Sequence, residues 1–233
     1  MQGEIVRFQN VSKKYPGQLA LQDVSFQLPP GKIIGIVGPN GSGKSTSLKL
    51  MSGLLRPNQG QVFINGQPTS RRISKEVAYL SELDEFYSFF TVGETLQFNR
   101  DLYEDFNWQK AQEMLAFMQL DPTKRVKELS KGNRGRLKII LTLARTAPLL
   151  LMDEPLSGLD PLARENIIKS LISYIDSEEQ TVIMTTHEVA EVEPLLDLVV
   201  AIQGGQVLKI AEVEEIRSQQ NKSLVEWMKE TLV

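Results

Sequence analysis

The sequence has no cysteine, which excludes disulfide bonds and thiolate metal sites. It also lacks an apolar run of the roughly 18 residues that a membrane span requires, because the stretch "LKIILTLARTAPLLLM" is interrupted by Arg145 and Pro148. The start has no basic segment followed by an apolar core, so we expect no secretory signal and a cytoplasmic location. The net charge of −3 gives no global reason to expect nucleic acid as a partner.

The patterns that are present predict an α/β fold. "EIVRFQNVSKKY" and "LALQDVSFQL" alternate apolar and polar residues, which predicts a small N-terminal antiparallel sheet. "KIIGIVG", "LLLMDE", "TVIMTTH" and "LVVAI" are short apolar strands separated by helical patterns, which predicts a sheet core of parallel strands with crossover helices. The stretch from Thr91 to Arg145 is helical, with a capping box at Thr91 and Glu94 and a cap at Asn107.

A glycine-rich motif follows the first of these apolar strands. "GPNGSGKST", Gly38 to Thr46, satisfies the P-loop pattern G-x-x-x-x-G-K-[ST]. Its glycines let backbone N–H groups converge on phosphate oxygens, Lys44 adds a charge for the terminal phosphates, and the Ser45 hydroxyl suits Mg²⁺. A plain glycine turn is the alternative, but the position between a buried strand and a helix favours a P-loop NTPase fold. The predicted nucleotide-binding residues are Gly38, Pro39, Asn40, Gly41, Ser42, Gly43, Lys44, Ser45 and Thr46.

Acidic residues and the only histidine end the later apolar strands. Asp153 is placed to hold Mg²⁺, directly or through water, and Glu154 to take a proton from the attacking water. Acidic residues in such positions are also common as charges at a helix N-terminus, so this pair alone is ambiguous. His187 could hydrogen-bond the γ-phosphate or orient the water, and a structural or solvated histidine is the alternative.

These motifs together resemble the nucleotide-binding subunit of an ABC transporter, over essentially the whole chain. "GPNGSGKST" is similar to the Walker A motif of that family, and "LLLMDEP" to Walker B with its catalytic glutamate, Glu154. "SGLD" (157–160) is similar to the D-loop, "TTH" to the switch histidine and "LSKGN" (129–133) to the signature usually written LSGGQ. The resemblance implies ATP and Mg²⁺ as cofactors. It implies Lys44, Glu154 and His187 as catalytic residues and Ser45, Asp153 and Glu82 as metal-site residues.

The same resemblance adds residues from other parts of the chain to the ATP site. In this family two subunits close head to tail, and the signature of one covers the ATP of the other. Ser130 and Gly132 would then face the γ-phosphate at the N-terminus of a helix starting near Asn133, although Ser130 could equally cap that helix. Asp160 of the D-loop joins this set, and Tyr15 lies where the family stacks an aromatic ring on adenine, an ordinary surface tyrosine being the alternative.

The sequence departs from the family pattern at two places. Lys131 and Asn133 stand where the signature consensus has glycine and glutamine, and Glu82 stands where the family normally has a glutamine that contacts Mg²⁺ and the lytic water. A carboxylate at position 82 can still bind Mg²⁺, but it would repel phosphate when no metal is bound. We therefore expect tight nucleotide binding to depend unusually strongly on Mg²⁺.

An aromatic cluster follows Glu82. Phe86, Tyr87, Phe89 and Phe90 lie where the resemblance places the groove for a coupling helix of the membrane subunit. The alternative is that these rings form the core of the helical region. The domain organisation expected from the resemblance is one domain over 1–233. In it, 1–83 and 146–233 form the catalytic core with the antiparallel β-subdomain, and 84–145 forms the helical subdomain.

The resemblance implies an ATPase that drives transport by ATP-dependent dimer closure. The expected partners are a second nucleotide-binding subunit, in a homodimer or heterodimer, and an integral membrane subunit, with no nucleic acid. The signature and short chain resemble bacterial export-type systems, which places the subunit on the inner face of the cell membrane. The alternative is a soluble ABC-type ATPase in macromolecular assembly, against which stands the lack of a coiled-coil insertion, a tandem cassette or a strongly basic surface.

Overall fold

Strands and helices alternate along the part of the chain that the computed structural model describes, residues 3–84 and 86–232. The strands are β1 (Val6–Tyr15), β2 (Gln18–Leu28), β3 (Ile33–Val37), β4 (Gln59–Ile64), β5 (Gln67–Pro68), β6 (Val77–Leu80), β7 (Leu149–Asp153), β8 (Thr181–Thr185), β9 (Leu198–Gln203) and β10 (Gln206–Glu212). The α-helices are α1 (Lys44–Met51), α2 (Val92–Leu102), α3 (Trp108–Phe117), α4 (Lys131–Leu143), α5 (Pro161–Tyr174), α6 (Val189–Val192), α7 (Val213–Gln220) and α8 (Leu224–Thr231). Short 3₁₀ helices cover Arg71–Lys75, Val126–Glu128 and Glu193–Leu195.

The central sheet positions the P-loop and the acidic residues. Its strand order within the described residues is β10-β9-β3-β8-β7-β6, and only β10 runs antiparallel to its neighbour. Every residue of β7 and β8 is buried, as expected for strands covered on both faces. Because β3, β7 and β8 are parallel, their carboxyl ends meet at one edge, where open α/β sheets bind ligands.

A second, antiparallel sheet covers one face of the central sheet. Its strand order within the described residues is β2-β1-β4-β5. Phe8 of β1 and Leu21 of β2 belong to one buried cluster with Ile34 and Ile36 of β3 and Leu48 of α1. The predicted N-terminal antiparallel sheet is therefore present, and it packs over the strand and helix that flank the P-loop.

Helices other than α1 cover the opposite face of the central sheet. One buried cluster joins Leu96 of α2 and Leu137 of α4 to Leu150 of β7, Met184 of β8 and Trp227 of α8. Helices α2, α3 and α4 follow one another between β6 and β7, inside the range predicted for the helical subdomain. The predicted α/β fold is thus confirmed. The predicted domain bounds stay a prediction, and where they include Met1, Gln2, Glu85 or Val233 they extend beyond the described residues.

Local sequence signals explain several helix boundaries. The Thr91 side chain accepts a hydrogen bond from the Glu94 backbone N–H, and the Glu94 carboxylate accepts one from the Thr91 N–H, which completes the predicted capping box of α2. The Asn107 side chain accepts from the Lys110 N–H and caps α3, as predicted. Among the described residues, no helix is both long and apolar enough to span a bilayer.

The structure differs from the sequence prediction at three elements. Helix α4 begins at Lys131, earlier than the predicted start near Asn133, because Ser130 is its cap. The helical pattern "EVAEVEPLL" gives only the short α6 followed by a 3₁₀ turn, since Pro194 has no N–H to continue an α-helix. Strand β10 was missed, although Gly204 and Gly205, both with positive φ, form the two-residue turn of a β9–β10 hairpin.

Candidate functional site

A cleft of about 370 Å³ opens at the carboxyl edge of the central sheet, beside the P-loop. It brings together residues from the antiparallel sheet, the P-loop and the ends of the parallel strands. Its lining consists of Tyr15, Gln18, Ala20, Asn40, Gly41, Gly43, Lys44, Ser45, Thr46, Glu82, Glu154, Ser157 and His187. Most of the residues predicted from separate motifs therefore meet in one cavity.

The P-loop glycines hold backbone conformations that other residues rarely adopt. Gly38, Gly41 and Gly43 have φ values of 156°, 77° and 112°. A Cβ on Gly43 would lie 2.6 Å from the Ala20 carbonyl oxygen and 2.8 Å from Leu21 Cδ2. The loop therefore packs so closely against β2 that only glycine fits at position 43.

The N-terminus of α1 is open to the cleft. Its N-cap is Gly43, which makes no side-chain capping bond, and the first N–H groups of an α-helix have no acceptor within the helix. Free N–H groups and the helix dipole favour an anion at this end. The loop thus has the shape and the donor chemistry that a phosphate group requires.

Lys44 lies under the P-loop at the same helix end. Its Nζ donates to the carbonyl oxygens of Gly38 at 2.9 Å and Pro39 at 3.1 Å. Burial lowers the pKa of Lys44 below its ordinary value, and the nearby carboxylates of Glu154 and Asp153 oppose that shift by favouring the ammonium form. Backbone carbonyls and two carboxylates therefore hold a positive charge next to the helix N-terminus.

Asp153 is a buried carboxylate at the end of β7, with hydroxyl groups around it. Ser45 Oγ and Thr185 Oγ1 donate to its Oδ1 at 2.8 and 2.7 Å, and the Tyr79 hydroxyl donates to its Oδ2 at 3.3 Å. A serine hydroxyl beside a carboxylate is the oxygen donor set that Mg²⁺ takes in nucleotide sites, where phosphates and waters supply the other ligands. Ser45 and Asp153 fit the predicted metal, although no cluster of three or more acidic or histidine side chains occurs among the described residues.

Glu154 follows Asp153 in an unusual conformation. Its φ is 50°, which non-glycine residues seldom adopt, and its N–H donates to Thr185 Oγ1 at 3.0 Å. The His187 Nδ1 lies 2.8 Å from Glu154 Oε2, and the His187 backbone N–H donates to the same oxygen at 3.3 Å. With its proton on Nδ1, the imidazole therefore fixes the Glu154 carboxylate inside the cleft.

The cleft is also lined by Tyr15, which precedes the P-loop in the chain, and by Glu82, which follows it. The Glu82 side chain is exposed, and its backbone carbonyl accepts a hydrogen bond from Lys138 of α4 at 2.9 Å. Exposure weakens the repulsion that we expect between Glu82 and phosphate, because solvent screens the carboxylate.

The signature residues lie elsewhere in the same chain. Ser130 Oγ accepts from the Asn133 N–H at 3.2 Å and caps α4. An ideal Cβ on Gly132 would lie 3.2 Å from Asp160 Oδ2, so the signature packs on the D-loop. Ser130, Gly132 and Asp160 are described residues, and none of them lines the cleft of its own chain.

The aromatic residues after Glu82 divide into two groups. Phe86 packs against the buried cluster beneath the helices. Tyr87 and Phe89 are 54% and 65% exposed, and their rings contact each other with centroids 5.7 Å apart. Tyr87 also contacts Phe90 and Phe98. The core interpretation therefore fits Phe86, whereas the groove for a coupling helix stays a prediction for the exposed rings.

Sequence reasoning missed residues that contact the two acidic residues from neighbouring strands. Thr185 contacts both acidic residues, and Tyr79 contacts Asp153 from the end of β6. Gln18 and Ser157 add polar groups to the cleft wall. Thr185 could have been found from its place at the end of a strand parallel to β7, because the carboxyl ends of parallel strands lie at one edge of the sheet.

Comparisons with known proteins identify the family. A family model described as "ABC transporter" matches residues 21–157, more than half of the chain. The chain is 35% identical over 217 residues to the Nod factor export ATP-binding protein I of Burkholderia orbicola, covering 89% of this chain and 70% of that one. It is 29% identical over 223 residues to the petrobactin import ATP-binding protein YclP of Bacillus subtilis, covering 91% and 88%.

Structural comparison agrees with the sequence match. A solved structure described as the ATP-binding subunit of an ABC transporter superposes with a TM-score of 0.85 at 26% identity, covering 97% of this chain and 99% of that one. The match includes P-loop residues and Glu154, which line one cleft, and the buried Asp153, to which Ser45 of that cleft donates. The chain belongs to the ABC transporter family, in which it is an ATP-binding subunit with ATPase activity.

Proposed function

We propose that the cleft binds the phosphates of ATP and that its residues hydrolyse the terminal phosphoanhydride bond. The N–H groups at the start of α1 and the Lys44 ammonium bind the phosphates, and Ser45 and Asp153 hold Mg²⁺. Mg²⁺ held there would supply positive charge against the charge that develops on the phosphates. Tyr15 stacks on the base, and Glu82, which lines the same cavity, is the third residue proposed for the metal site.

Glu154 acts as the general base in this proposal. Its side chain is only 11% exposed, it lines the cleft, and His187 Nδ1 holds it at 2.8 Å. A carboxylate fixed in this way can accept the proton of an attacking water while His187 keeps its orientation. This contact is the single observation that carries the catalytic proposal, because it joins the residue after β7 to the second residue after β8.

Closure of two cassettes completes the site. Cassettes of this family dimerise and work with membrane subunits. Ser130 and Gly132 lie at the N-terminus of α4, away from the cleft of their own chain, so they are available to the ATP of a partner. ATP binding would close the dimer, and hydrolysis would reopen it.

Mixing two inactive variants tests this composite site. Lys44→Met disables the P-loop of one chain, and Ser130→Arg disables the signature of another. If the signature acts in trans, a mixed dimer contains one intact site, and ATPase activity returns on mixing. If both motifs act within one chain, the mixture stays inactive, and the proposal of a shared site fails. Wild-type activity without added partners is the required control, since it shows that the chain pairs with itself.

We further propose that the subunit drives export through a separate membrane subunit, from the inner face of the cell membrane. The identity to the Nod factor export protein, 35%, exceeds that to the petrobactin import protein, 29%. The exposed rings of Tyr87, Phe89 and Phe98 offer a surface for a helix of the membrane subunit.

Affinity purification from detergent-solubilised cells tests the transport role. Glu154→Gln chains with ATP would hold the closed state during purification. A membrane protein recovered in stoichiometric amount would support the proposal and identify the subunit in which to look for cargo. A soluble partner recovered without any membrane protein would contradict it and leave only the ATPase mechanism.

A further inference from the structure

Arg164, in the first turn of α5, contacts three residues on two other segments. Its Nε donates to the Leu159 carbonyl oxygen of the D-loop at 3.0 Å. Its terminal nitrogens bind two carboxylates on the segment after β8, those of Glu188 at 2.6 Å and Glu191 at 2.5 Å. The planar guanidinium suits such a multiple contact, which a lysine ammonium on a flexible stem does not reproduce.

One of these carboxylates belongs to the residue after the switch histidine. Glu188 Oε1 binds Arg164 and lies 4.0 Å from His187 Nε2, while Glu188 Oε2 is buried without a partner among the described residues. The Glu188 charge therefore depends mainly on Arg164. A half-buried carboxylate that loses its cation is unfavourable, so it would move toward solvent or toward the imidazole.

Leu159, whose carbonyl Arg164 binds, also lies against α4, the helix that begins within the signature and is called the signature helix below. A Cβ on Gly135 of α4 would lie 3.1 Å from Leu159 Cδ2, so α4 packs directly on the D-loop residue whose carbonyl Arg164 binds. A shift of α4 would therefore displace Leu159 first and Arg164 next. Contacts therefore run without a break from the signature helix to the D-loop, from the D-loop to Arg164, and from Arg164 to the segment that contains His187.

We propose that Arg164 is a positioning residue that holds His187 against Glu154 by fixing Glu188, and that it links this alignment to the D-loop. This inference rests on the proposed roles of Glu154 and His187. Arg164 does not line the nucleotide cleft, so its loss should lower catalysis and leave ATP binding nearly unchanged.

His187 is the only histidine of the chain, which makes its ring a direct reporter. The protein is labelled with ¹⁵N-histidine, purified without a histidine tag, and its imidazole nitrogens are observed by NMR without nucleotide. Arg164→Gln and Glu188→Gln should each shift the His187 ring resonances. Lys169→Gln is the matched control, because Lys169 is another cation of α5 that is exposed and, within the described part of the chain, pairs only with Glu165, at 2.7 Å.

Kinetics supply the second readout. Contacts one step behind a site typically contribute 10–100-fold in activity, so we expect Arg164→Gln to lower kcat about tenfold and leave the KM for ATP within about twofold. Arg164→Lys should fall between wild type and Arg164→Gln. The double variant Arg164→Gln/Glu188→Gln should be no slower than the worse single variant, because both changes remove the same contact.

Unchanged ring resonances together with an unchanged kcat would overturn the proposal, as would equal effects in Lys169→Gln. If Arg164→Gln does not fold, Glu188→Gln keeps the side-chain size and tests the same contact. The resonances of nucleotide-free protein report on the inference alone, whereas near-normal turnover by Glu154→Gln would refute the proposed function instead.

Discussion

Thr185→Val tests whether the hydroxyl between the two acidic residues stabilises the site. Thr185 is fully buried at the end of β8, and valine has nearly the same shape. The hydroxyl donates to Asp153 Oδ1 at 2.7 Å and accepts from the Glu154 N–H at 3.0 Å. Valine therefore removes both hydrogen bonds without creating a cavity.

The expected loss of stability follows from those two bonds. A hydrogen bond to a charged group contributes about 2 kcal/mol, and a partly buried N–H left without a partner costs about 1 kcal/mol. Burying an additional methyl group returns roughly 0.8 kcal/mol. The free energy of unfolding should therefore fall by about 2 kcal/mol, which corresponds to a Tm lower by about 4–8 °C in a chain of this size.

Thr142→Val is the matched control. Thr142 is also buried, but among the residues that the structure describes its hydroxyl donates only to the Lys138 carbonyl, within α4. Its loss should therefore change the free energy of unfolding by less than about 1 kcal/mol. Urea unfolding of both variants without nucleotide measures the difference. Equal destabilisation of the two proteins would refute the idea that Thr185 organises the acidic residues. ATP turnover should also fall in Thr185→Val alone, because Glu154 loses a support for its unusual φ.

Two further substitutions test the P-loop and the exposed carboxylate. Gly43→Ala places a Cβ 2.6 Å from the Ala20 carbonyl oxygen, so it should abolish ATP binding and destabilise the protein by about 3 kcal/mol. Gly41→Ala, whose Cβ meets no atom nearer than 3.9 Å, should cost only about 1 kcal/mol for its left-handed backbone, as unfolding measurements would show. A carboxylate about 5 Å from a phosphate oxygen would be repelled by about 3 kcal/mol at an effective dielectric of 20 and by about 1 kcal/mol in water. Because Glu82 is exposed, the value for water is the better guide, so Glu82→Gln should bind metal-free ATP about fivefold more tightly. Unchanged affinity for metal-free ATP in calorimetry would contradict the expected dependence on Mg²⁺.

The sequence was sufficient for the parts of the site that are local in the chain. The spacing of Gly38, Gly43 and Lys44 requires a strand, a loop and a helix in that order, and the structure has them. The apolar strands before Glu154 and His187 predicted the sheet edge at which these two residues meet. The Thr91 and Asn107 caps were equally visible, because a cap depends on residues three positions apart.

The parts that the sequence did not predict depend on contacts between distant segments. Nothing local shows that Thr185 reaches Asp153, or that Arg164 reaches Glu188, because these contacts arise from strand register and helix packing. The division between buried Phe86 and exposed Phe89 likewise depends on how the segment lies against the helices. Periodicity cannot resolve that arrangement in an irregular segment.

The central claim is that Glu154 is the general base of an ATP-hydrolysing cleft, and Glu154→Gln tests it most directly. Glutamine keeps the size of the side chain but cannot accept the proton of the attacking water. ATP affinity and turnover are measured on the same wild-type and variant proteins, with His187 left in place. The account predicts ATP binding close to that of wild type and turnover lower by about 10²- to 10⁴-fold. Near-normal turnover by Glu154→Gln would contradict it.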